Sequence, residues 1–131
     1  MIDVINLRKS FGALEVLKGI NITINKGDIV AVLGPSGSGK STILNMLGGL
    51  DTLDAGELTI EGRSLIGLTP KERTLYRKEE VGFVFQFYNL IQDLTVEENI
   101  EVVSDISESP LDLSEVLGAL ELEPYRRRFP R

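Results

Sequence analysis

The first two thirds of the chain hold short apolar runs with the length and composition of β-strands. Isoleucines at positions 20, 22 and 24 alternate with polar residues, a period of two that places one face of a strand on a core. The pattern predicts strands over residues 2–7, 16–24, 28–33, 57–60 and 81–85. Because only a tight turn separates the second strand from the third, we expect these two to be antiparallel.

Helix start and stop signals follow the strands. Thr69 to Glu72 form a capping box with proline at the first helical position, and Thr95 to Glu98 form a second box. Asp112 is a third N-cap candidate, and Gly48-Gly49 is a stop signal. We therefore predict helices over residues 40–47, from 70 to about 78, from 96 to a polar linker at 104–110, and after 112.

A glycine-rich segment stands between the third strand and the first helix. Residues 34–42 read Gly-Pro-Ser-Gly-Ser-Gly-Lys-Ser-Thr, the G-x-x-x-x-G-K-S pattern of a phosphate-binding loop. Glycines let backbone N–H groups point inward, and the helix N-terminus adds unpaired donors. Lys40 is expected to reach the β- and γ-phosphates and Ser41 to offer its hydroxyl to Mg²⁺. The order of strand, loop and helix favours this interpretation over a plain glycine-serine loop.

Composition narrows the class of protein. The 131 residues suffice for one domain at most, and 42% are hydrophobic, as in soluble globular proteins. The net charge of −6 does not indicate the positively charged surface that binds nucleic acid, so we expect no nucleic-acid partner. Cysteine is absent, which excludes disulfides and thiolate metal sites, and the sequence contains no histidine either. No signal peptide or membrane span is apparent, so the expected compartment is the cytoplasm.

The ordered set of motifs resembles the N-terminal part of the nucleotide-binding domain of an ATP-binding cassette (ABC) transporter. The sequences at residues 47–51 and 85–90 most resemble those of the lipoprotein-releasing and macrolide-export ATPases. The resemblance implies an α/β P-loop NTPase fold with a RecA-like core, an N-terminal antiparallel β-subdomain and a helical region. The motifs that carry it are Phe11-Gly12 ahead of Leu17–Ile20, the loop at 34–42, Leu53–Glu57, Val81–Gln86 and Leu94–Asn99.

Three parts of one domain follow from the resemblance. Residues 1–62 correspond to the β-subdomain strands and the P-loop with its helix. Residues 63–94 supply a helix, a strand and the Q-loop, and residues 95–131 begin the helical subdomain. The chain is expected to end before the signature and Walker B segments of the family.

The resemblance also implies a set of site residues. Phe11 corresponds to the aromatic residue that stacks on adenine, although a core aromatic is the alternative. Gln86 corresponds to the glutamine that reaches Mg²⁺ or the attacking water, although a glutamine at a strand end is otherwise a solvated residue. Lys40 and Gln86 are the catalytic candidates, and Ser41 and Gln86 the metal ligands. The ATP-binding candidates are Phe11, Gly34, Ser36, Gly37, Ser38, Gly39, Lys40, Ser41 and Thr42.

Partners follow from the same family. Residues 87–94 resemble the groove that receives a transmembrane permease subunit, and packing beneath the loop is the alternative for their apolar side chains. A second ATPase subunit, as a homodimer, is the other expected partner, at the inner face of the plasma membrane. The arginines at 126–128 are interpreted as a solvated end rather than an anion site.

Other family motifs are absent from the 131 residues. There is no Leu-Ser-Gly-Gly-Gln signature, no apolar run ending in Asp-Glu and no histidine. We therefore expect nucleotide binding with negligible hydrolysis. The strands at 28–33 and 81–85 are expected to lack neighbours, which leaves the chain unstable unless it repacks, dimerises or meets the remaining half.

Two alternatives remain open at this point. One is a non-hydrolysing nucleotide-binding remnant or decoy that occupies a permease without turnover. The other is a different P-loop NTPase, although a GTPase would need an Asn-Lys-x-Asp motif, which the sequence does not contain.

Overall fold

The computed structural model describes residues 1–130, and these divide into one compact unit up to Phe83 and a second from Val84 onward. The first unit contains strands β1 (Ile2–Phe11), β2 (Leu14–Ile24), β3 (Ala55–Ile60) and β4 (Arg63–Ser64) and helices α1 (Lys40–Leu47) and α2 (Pro70–Glu80). The second contains helices α3 (Val96–Ile106) and α4 (Leu113–Ala119) and a 3₁₀ turn at Glu123–Tyr125.

The sheet of the first unit is antiparallel throughout, in the order β2-β1-β3-β4. β1 and β2 form a long hairpin whose register runs from Ile2 opposite Ile24 to Phe11 opposite Leu14. Residues 8–11, which lie beyond the predicted end of the first strand at residue 7, therefore belong to β1. The polar sequence there hid the strand, because the inward position is filled by a lysine, Lys9, rather than by an apolar residue.

The core of this unit lies between the sheet and α1. Val4, Leu7, Leu17 and Leu58 come from three strands, and α1 contributes Ile43 and Met46. Each such side chain contributes about 1.5–3 kcal/mol when fully buried. The helix that follows the glycine-rich loop is thus held by the same core that holds the hairpin.

Two predicted strands are wrong. Residues 28–33 and 81–85 form no strand and pair with none of the four described strands, so the expected antiparallel pairing of 28–33 with β2 is also wrong. Ile29 and Val84 are fully exposed, and Leu33 is nearly so. A segment with the sequence of a buried strand forms a strand only where neighbouring strands hydrogen-bond to its backbone, because those strands come from distant parts of the sequence. The expected lack of strand neighbours therefore holds for both segments with respect to the four described strands.

The second unit is built around Leu117 of α4, its fully buried side chain. Backbone N–H groups at the start of α3 donate to the carbonyls of Arg126 and Arg128, at 3.0 Å and 2.9 Å. α3 runs to Ile106, three residues into the expected linker, and its Val103 side chain is exposed. Within residues 1–130, no helix is both long enough and apolar enough to cross a bilayer.

Candidate functional site

The glycine-rich loop joins the unpaired segment at 28–33 to helix α1, and its shape depends on two glycines. Gly37 and Gly39 have φ values of +77° and +90°, in the left-handed region that side chains with a Cβ rarely adopt. Gly39 is the N-cap of α1, and its carbonyl accepts the first helical hydrogen bond from Ile43 at 2.9 Å. Both positive values are needed for the loop to turn into the helix.

Gly39 also packs directly on the hairpin. A Cβ at this position would lie 2.8 Å from Cδ2 of Leu17 and 3.1 Å from Cγ1 of Val16. At Gly37, a Cβ would meet nothing within 4 Å. The loop is therefore seated on β2 near the turn end of the hairpin, which also carries Phe11, because Leu17 pairs with Lys9 and Leu14 with Phe11.

Lys40 closes the loop from within. Its Nζ donates to the carbonyl oxygens of Gly34 and Pro35, at 2.8 Å and 2.7 Å. The backbone of the loop therefore holds this ammonium in place. The predicted phosphate contacts from Gly34 to Thr42 are thus brought together around one cation and one helix end.

The N-terminus of α1 has no side-chain cap. No side chain accepts a hydrogen bond there, and the first turn contains no acidic residue. The first four N–H groups of any helix lack partners within the helix, and the dipole makes this end positive. Ser41 and Thr42 lie in this turn, so their hydroxyls stand beside donors suited to an anion.

Phe11 ends β1 beside the hairpin turn, and its side chain is 52% exposed. The core-aromatic alternative is therefore wrong, and the ring is available for stacking. Nζ of Lys9 lies 5.2 Å from the ring centroid. Sequence reasoning missed Lys9, although a lysine that interrupts the alternation of a strand is the signal that could have identified it.

Helix α2 holds the other end of α1. The hydroxyl of Tyr76 donates to the carbonyl of Leu47, and the guanidinium of Arg77 donates to that of Gly49, both at 2.8 Å. Tyr76 is buried, and desolvation, followed by the charge of Glu80, raises the pKa of its phenol. Sequence analysis did not identify these two side chains, because each bonds a residue far from it in the sequence. The P-loop helix is thus anchored at its C-terminus and open at its N-terminus.

Gln86 lies in the second unit and is exposed. The segment after it presents Phe87 and Tyr88 with most of their surface exposed, so packing beneath the loop does not account for either. The end of this segment is fixed by Asn99, whose amide bonds the backbone of Ile91, Leu94 and Thr95 at 2.8 to 3.0 Å.

The arginine cluster divides into one engaged and two exposed members. Arg126 forms ion pairs with Glu97 and Glu123, and these hydrogen bonds raise its pKa further. The hydrogen bond from Arg126 holds the pKa of Glu97 below its usual range. Arg127 and Arg128 are exposed, and the guanidinium of Arg128 lies 4.9 Å from the centroid of the Tyr125 ring. Arg126 is therefore a structural link to α3.

Metal binding by protein carboxylates is not indicated among residues 1–130, where no group of three or more acidic, cysteine or histidine residues is placed to hold an ion. A cation at the loop would depend on oxygen donors such as the Ser41 hydroxyl and on the bound anion itself.

Comparison with known proteins places this geometry in a family. Residues 17–131 match the family described as ABC transporter. The chain is 45% identical over 102 residues to the lipoprotein-releasing system ATP-binding protein LolD of Porphyromonas gingivalis, a match that covers 78% of the chain and 47% of LolD. It is 38% identical over 125 residues to the macrolide export ATP-binding/permease protein MacB of Bdellovibrio bacteriovorus, covering 92% of the chain and 19% of MacB.

Solved structures of ABC transporter cassettes are similar to this chain as well. The dimeric structure of a bacterial ABC transporter cassette superposes with a TM-score of 0.88 at 34% identity, over 99% of this chain and 62% of that one. A dimeric post-hydrolysis state of that cassette, bound to ADP and Pi, gives a TM-score of 0.85 at 35% identity, with the same coverage of both chains. The chain spans about half the length of LolD. These matches exclude the alternative of another kind of P-loop NTPase and confirm the α/β cassette fold. The chain belongs to the ABC transporter family.

Proposed function

We propose that this chain is the ATP-binding part of an ABC transporter subunit and holds the triphosphate of ATP at residues 34–42. The observation that carries the proposal is the uncapped N-terminus of α1, reached through left-handed glycines and closed by Lys40. Three N–H-rich features meet there: a glycine turn, a helix end and an ammonium. Together they suit an oxyanion with several negative oxygens.

Each proposed contact has a distinct role. Lys40 leaves the carbonyls of Gly34 and Pro35 and moves to phosphate oxygens, exchanging neutral acceptors for charged ones. Phe11 stacks on adenine with the exposed part of its ring. The remaining phosphate contacts come from the backbone and hydroxyls of Gly34, Ser36, Gly37, Ser38, Gly39, Ser41 and Thr42.

Mg²⁺ is the proposed metal, with Ser41 and Gln86 as its protein ligands. Hydroxyl and amide oxygens are the hard donors that Mg²⁺ accepts, and this ion commonly uses few protein ligands when phosphate oxygens supply the rest. The ion would neutralise the charge of the β- and γ-phosphates. Ser41 would direct its hydroxyl from the first turn of α1, and Gln86 would direct its amide oxygen from an exposed position.

Turnover by these residues alone is proposed to be negligible. The chain supplies a phosphate cradle, Lys40 and Gln86, but the sequence contains neither an apolar run ending in Asp-Glu nor a histidine. Hydrolysis of a triphosphate needs an oriented water and stabilisation of charge on both sides of the transferred group. Catalysis by the ATPase family would then require Lys40 and Gln86 together with groups from outside this sequence.

Coupling to transport is proposed to use the exposed segment after Gln86. Residues 87–94 would contact a transmembrane permease subunit, because Phe87 and Tyr88 expose large aromatic surfaces that a partner could cover. A second ATPase subunit would complete a homodimer, as the solved cassette is dimeric. Such a subunit would lie at the cytoplasmic face of the membrane. No nucleic acid is proposed as a partner.

The division into parts is likewise a proposal. Residues 1–62 would form the β-subdomain with the P-loop, residues 63–94 would carry the Q-loop, and residues 95–131 would begin the helical subdomain. The capping box that opens α3 at Thr95 supports the boundary between residues 94 and 95, since a new element starts there.

Calorimetric titration with Mg-ATP tests the proposal. Lys40→Ala is expected to weaken binding about 100-fold, because a charge-assisted contact to phosphate is worth about 1.5–3 kcal/mol and its loss leaves phosphate charge unpaired. Lys71→Ala is the matched control, since Lys71 is an exposed lysine at the start of α2, and its binding should equal that of the wild type. Equal affinities for wild type and Lys40→Ala would refute the proposed site.

The second candidate is a nucleotide-binding remnant that occupies a permease without turnover. Measurement of phosphate release separates the two: restoration of hydrolysis by the remaining part of a relative's cassette favours the transporter subunit. Binding without such restoration favours the remnant.

A further inference from the structure

Lys9 is a buried cation next to the proposed base-binding ring. Its side chain points inward from β1 and the residue is only 7% exposed, which is unusual for lysine unless it is paired. Nζ donates to Oδ1 of Asp51 at 2.9 Å and to the carbonyl of Thr52 at 2.6 Å. The ammonium is therefore fixed in position.

The loop that holds Lys9 is the one that leaves α1. Asp54 bonds β1 on both sides of Lys9, because its N–H donates to the carbonyl of Arg8 at 3.0 Å and its Oδ2 accepts from the N–H of Ser10 at 2.6 Å. Its Oδ1 also lies 3.8 Å from Nζ of Lys9. The last residues of β1 are thus clamped to the P-loop helix just before Phe11.

The fixed ammonium lies over the ring of Phe11, 5.2 Å from its centroid. A cation over one face of an aromatic ring is attracted by the π-electrons and draws them toward itself. The ring is then oriented by a charge that the loop at 51–54 holds still. A purine stacked on the other face would meet a ring that is both preoriented and depleted of electron density, which favours an electron-rich base.

We infer that Lys9 is a positioning residue for the nucleotide base, acting through Phe11. This inference rests on the proposed nucleotide site and adds a residue that the glycine-rich motif does not contain. Lys9 makes no contact with phosphate in this scheme, so its effect should depend on the presence of the base. The P-loop contacts should depend only on the phosphates.

Comparing the affinities for a ligand with a base and a ligand without one tests the inference. Lys9→Met keeps the apolar stem and removes the charge. It should weaken Mg-ATP binding about three- to tenfold, while the affinity for Mg-tripolyphosphate, which has no base, stays within about twofold of the wild type. Lys18→Met, at an exposed lysine of β2 in the same hairpin, should leave both affinities unchanged.

A purely structural role predicts a different result. If Lys9 only held the fold, Lys9→Met would weaken both ligands equally, and that outcome would overturn the inference, as would no change for either. Asp51→Asn is a second, milder variant that leaves the bond from Lys9 to Thr52 in place; a smaller loss confined to ATP supports the inference, and equal losses for both ligands contradict it. Wild-type chain that binds neither ligand would instead refute the proposed function, and the inference with it.

Discussion

Helices α1 and α2 begin in opposite ways. At α2, the hydroxyl of Thr69 accepts from the N–H of Glu72, and the Glu72 carboxylate accepts from the N–H of Thr69 at 2.8 Å, with proline in the first turn. At α1, the N-cap is Gly39, and no side chain satisfies the first donors. The side chains of α2 satisfy backbone N–H groups at its N-terminus, whereas those at the N-terminus of α1 remain available to a ligand.

The difference indicates where the chain gives up local stability. A side-chain N-cap contributes about 1 kcal/mol to a helix. α1 forgoes it and is held instead by its core residues, by the seat of Gly39 on Leu17, and by the side chains that bond its C-terminus. α3 has a capping box like that of α2. An uncapped start among capped ones is therefore the arrangement expected of an anion site.

The largest expected effect comes from giving α1 the acidic residue that α2 has. Thr42→Glu puts a carboxylate at the third helical position, where Glu72 stands in α2. The dipole favours this charge, so the helix should gain up to about 1 kcal/mol. The like charge should weaken Mg-ATP binding about 100-fold or more. Calorimetric titration and thermal unfolding of the same sample measure the two opposite effects.

Thr42→Gln is the matched control for size. It has the shape of the glutamate without its charge, so it should bind ATP far better than Thr42→Glu does. Equal loss of binding in both variants would mean that bulk rather than charge blocks the loop, and the contrast between the two helix ends would lose its electrostatic basis.

The next effect distinguishes the two left-handed glycines. Gly37→Ala should cost about 1–2 kcal/mol, the usual cost of a left-handed alanine, because a Cβ there meets open space. Gly39→Ala carries the same backbone cost and also an overlap with buried Leu17, for about 3 kcal/mol in total. Urea unfolding of both variants measures the difference, and equal losses would contradict the seat of the loop on β2.

Local signals made much of this site readable in sequence. The glycine-rich loop, α1, the two capping boxes and the Asp112 cap each depend on residues within a few positions of one another, and all form where expected. The fold family followed from the order of these motifs.

Non-local features were not readable in the same way. The run at 28–33 has the composition of a buried strand, yet it pairs with none of the strands found in residues 1–130, since strand pairing depends on residues far away in sequence. The bonds from Tyr76 and Arg77 to the end of α1, and the burial of Lys9 beneath Phe11, also join distant positions. The roles of the predicted contacts remain predictions, since they involve a ligand.

A smaller effect should follow from removing the cap of α2. Thr69→Ala should destabilise the first unit by about 1 kcal/mol, because the N–H of Glu72 loses its acceptor. Affinity for Mg-ATP should stay at the wild-type value, since Thr69 belongs to a helix end without a proposed ligand. Thr69→Ser keeps the hydroxyl and should restore the wild-type unfolding midpoint. Loss of nucleotide binding in Thr69→Ala would show that the two helix starts are not independent.

The smallest effect concerns pH. The N–H and the hydroxyl of Thr69 hold the pKa of Glu72 below its usual range, and Thr95 does the same for Glu98. A carboxyl whose pKa is lower in the folded chain stabilises it above the unfolded pKa and loses that contribution as pH falls through the folded value. Between about pH 5 and pH 3, the unfolding temperature of the wild type should therefore fall more steeply than that of Glu72→Gln.

The difference between wild type and Glu72→Gln isolates this carboxylate from the others that titrate in the same range. No acidic residue lies in the first turn of α1, so the open helix end should add nothing to the slope. Thr42→Glu should make the unfolding temperature fall more steeply with falling pH, because the new carboxylate would interact favourably with the positive end of the α1 dipole. Parallel pH curves for all three proteins would mean that neither helix end titrates with folding, and the contrast between a self-capped and an open start would then rest on geometry alone.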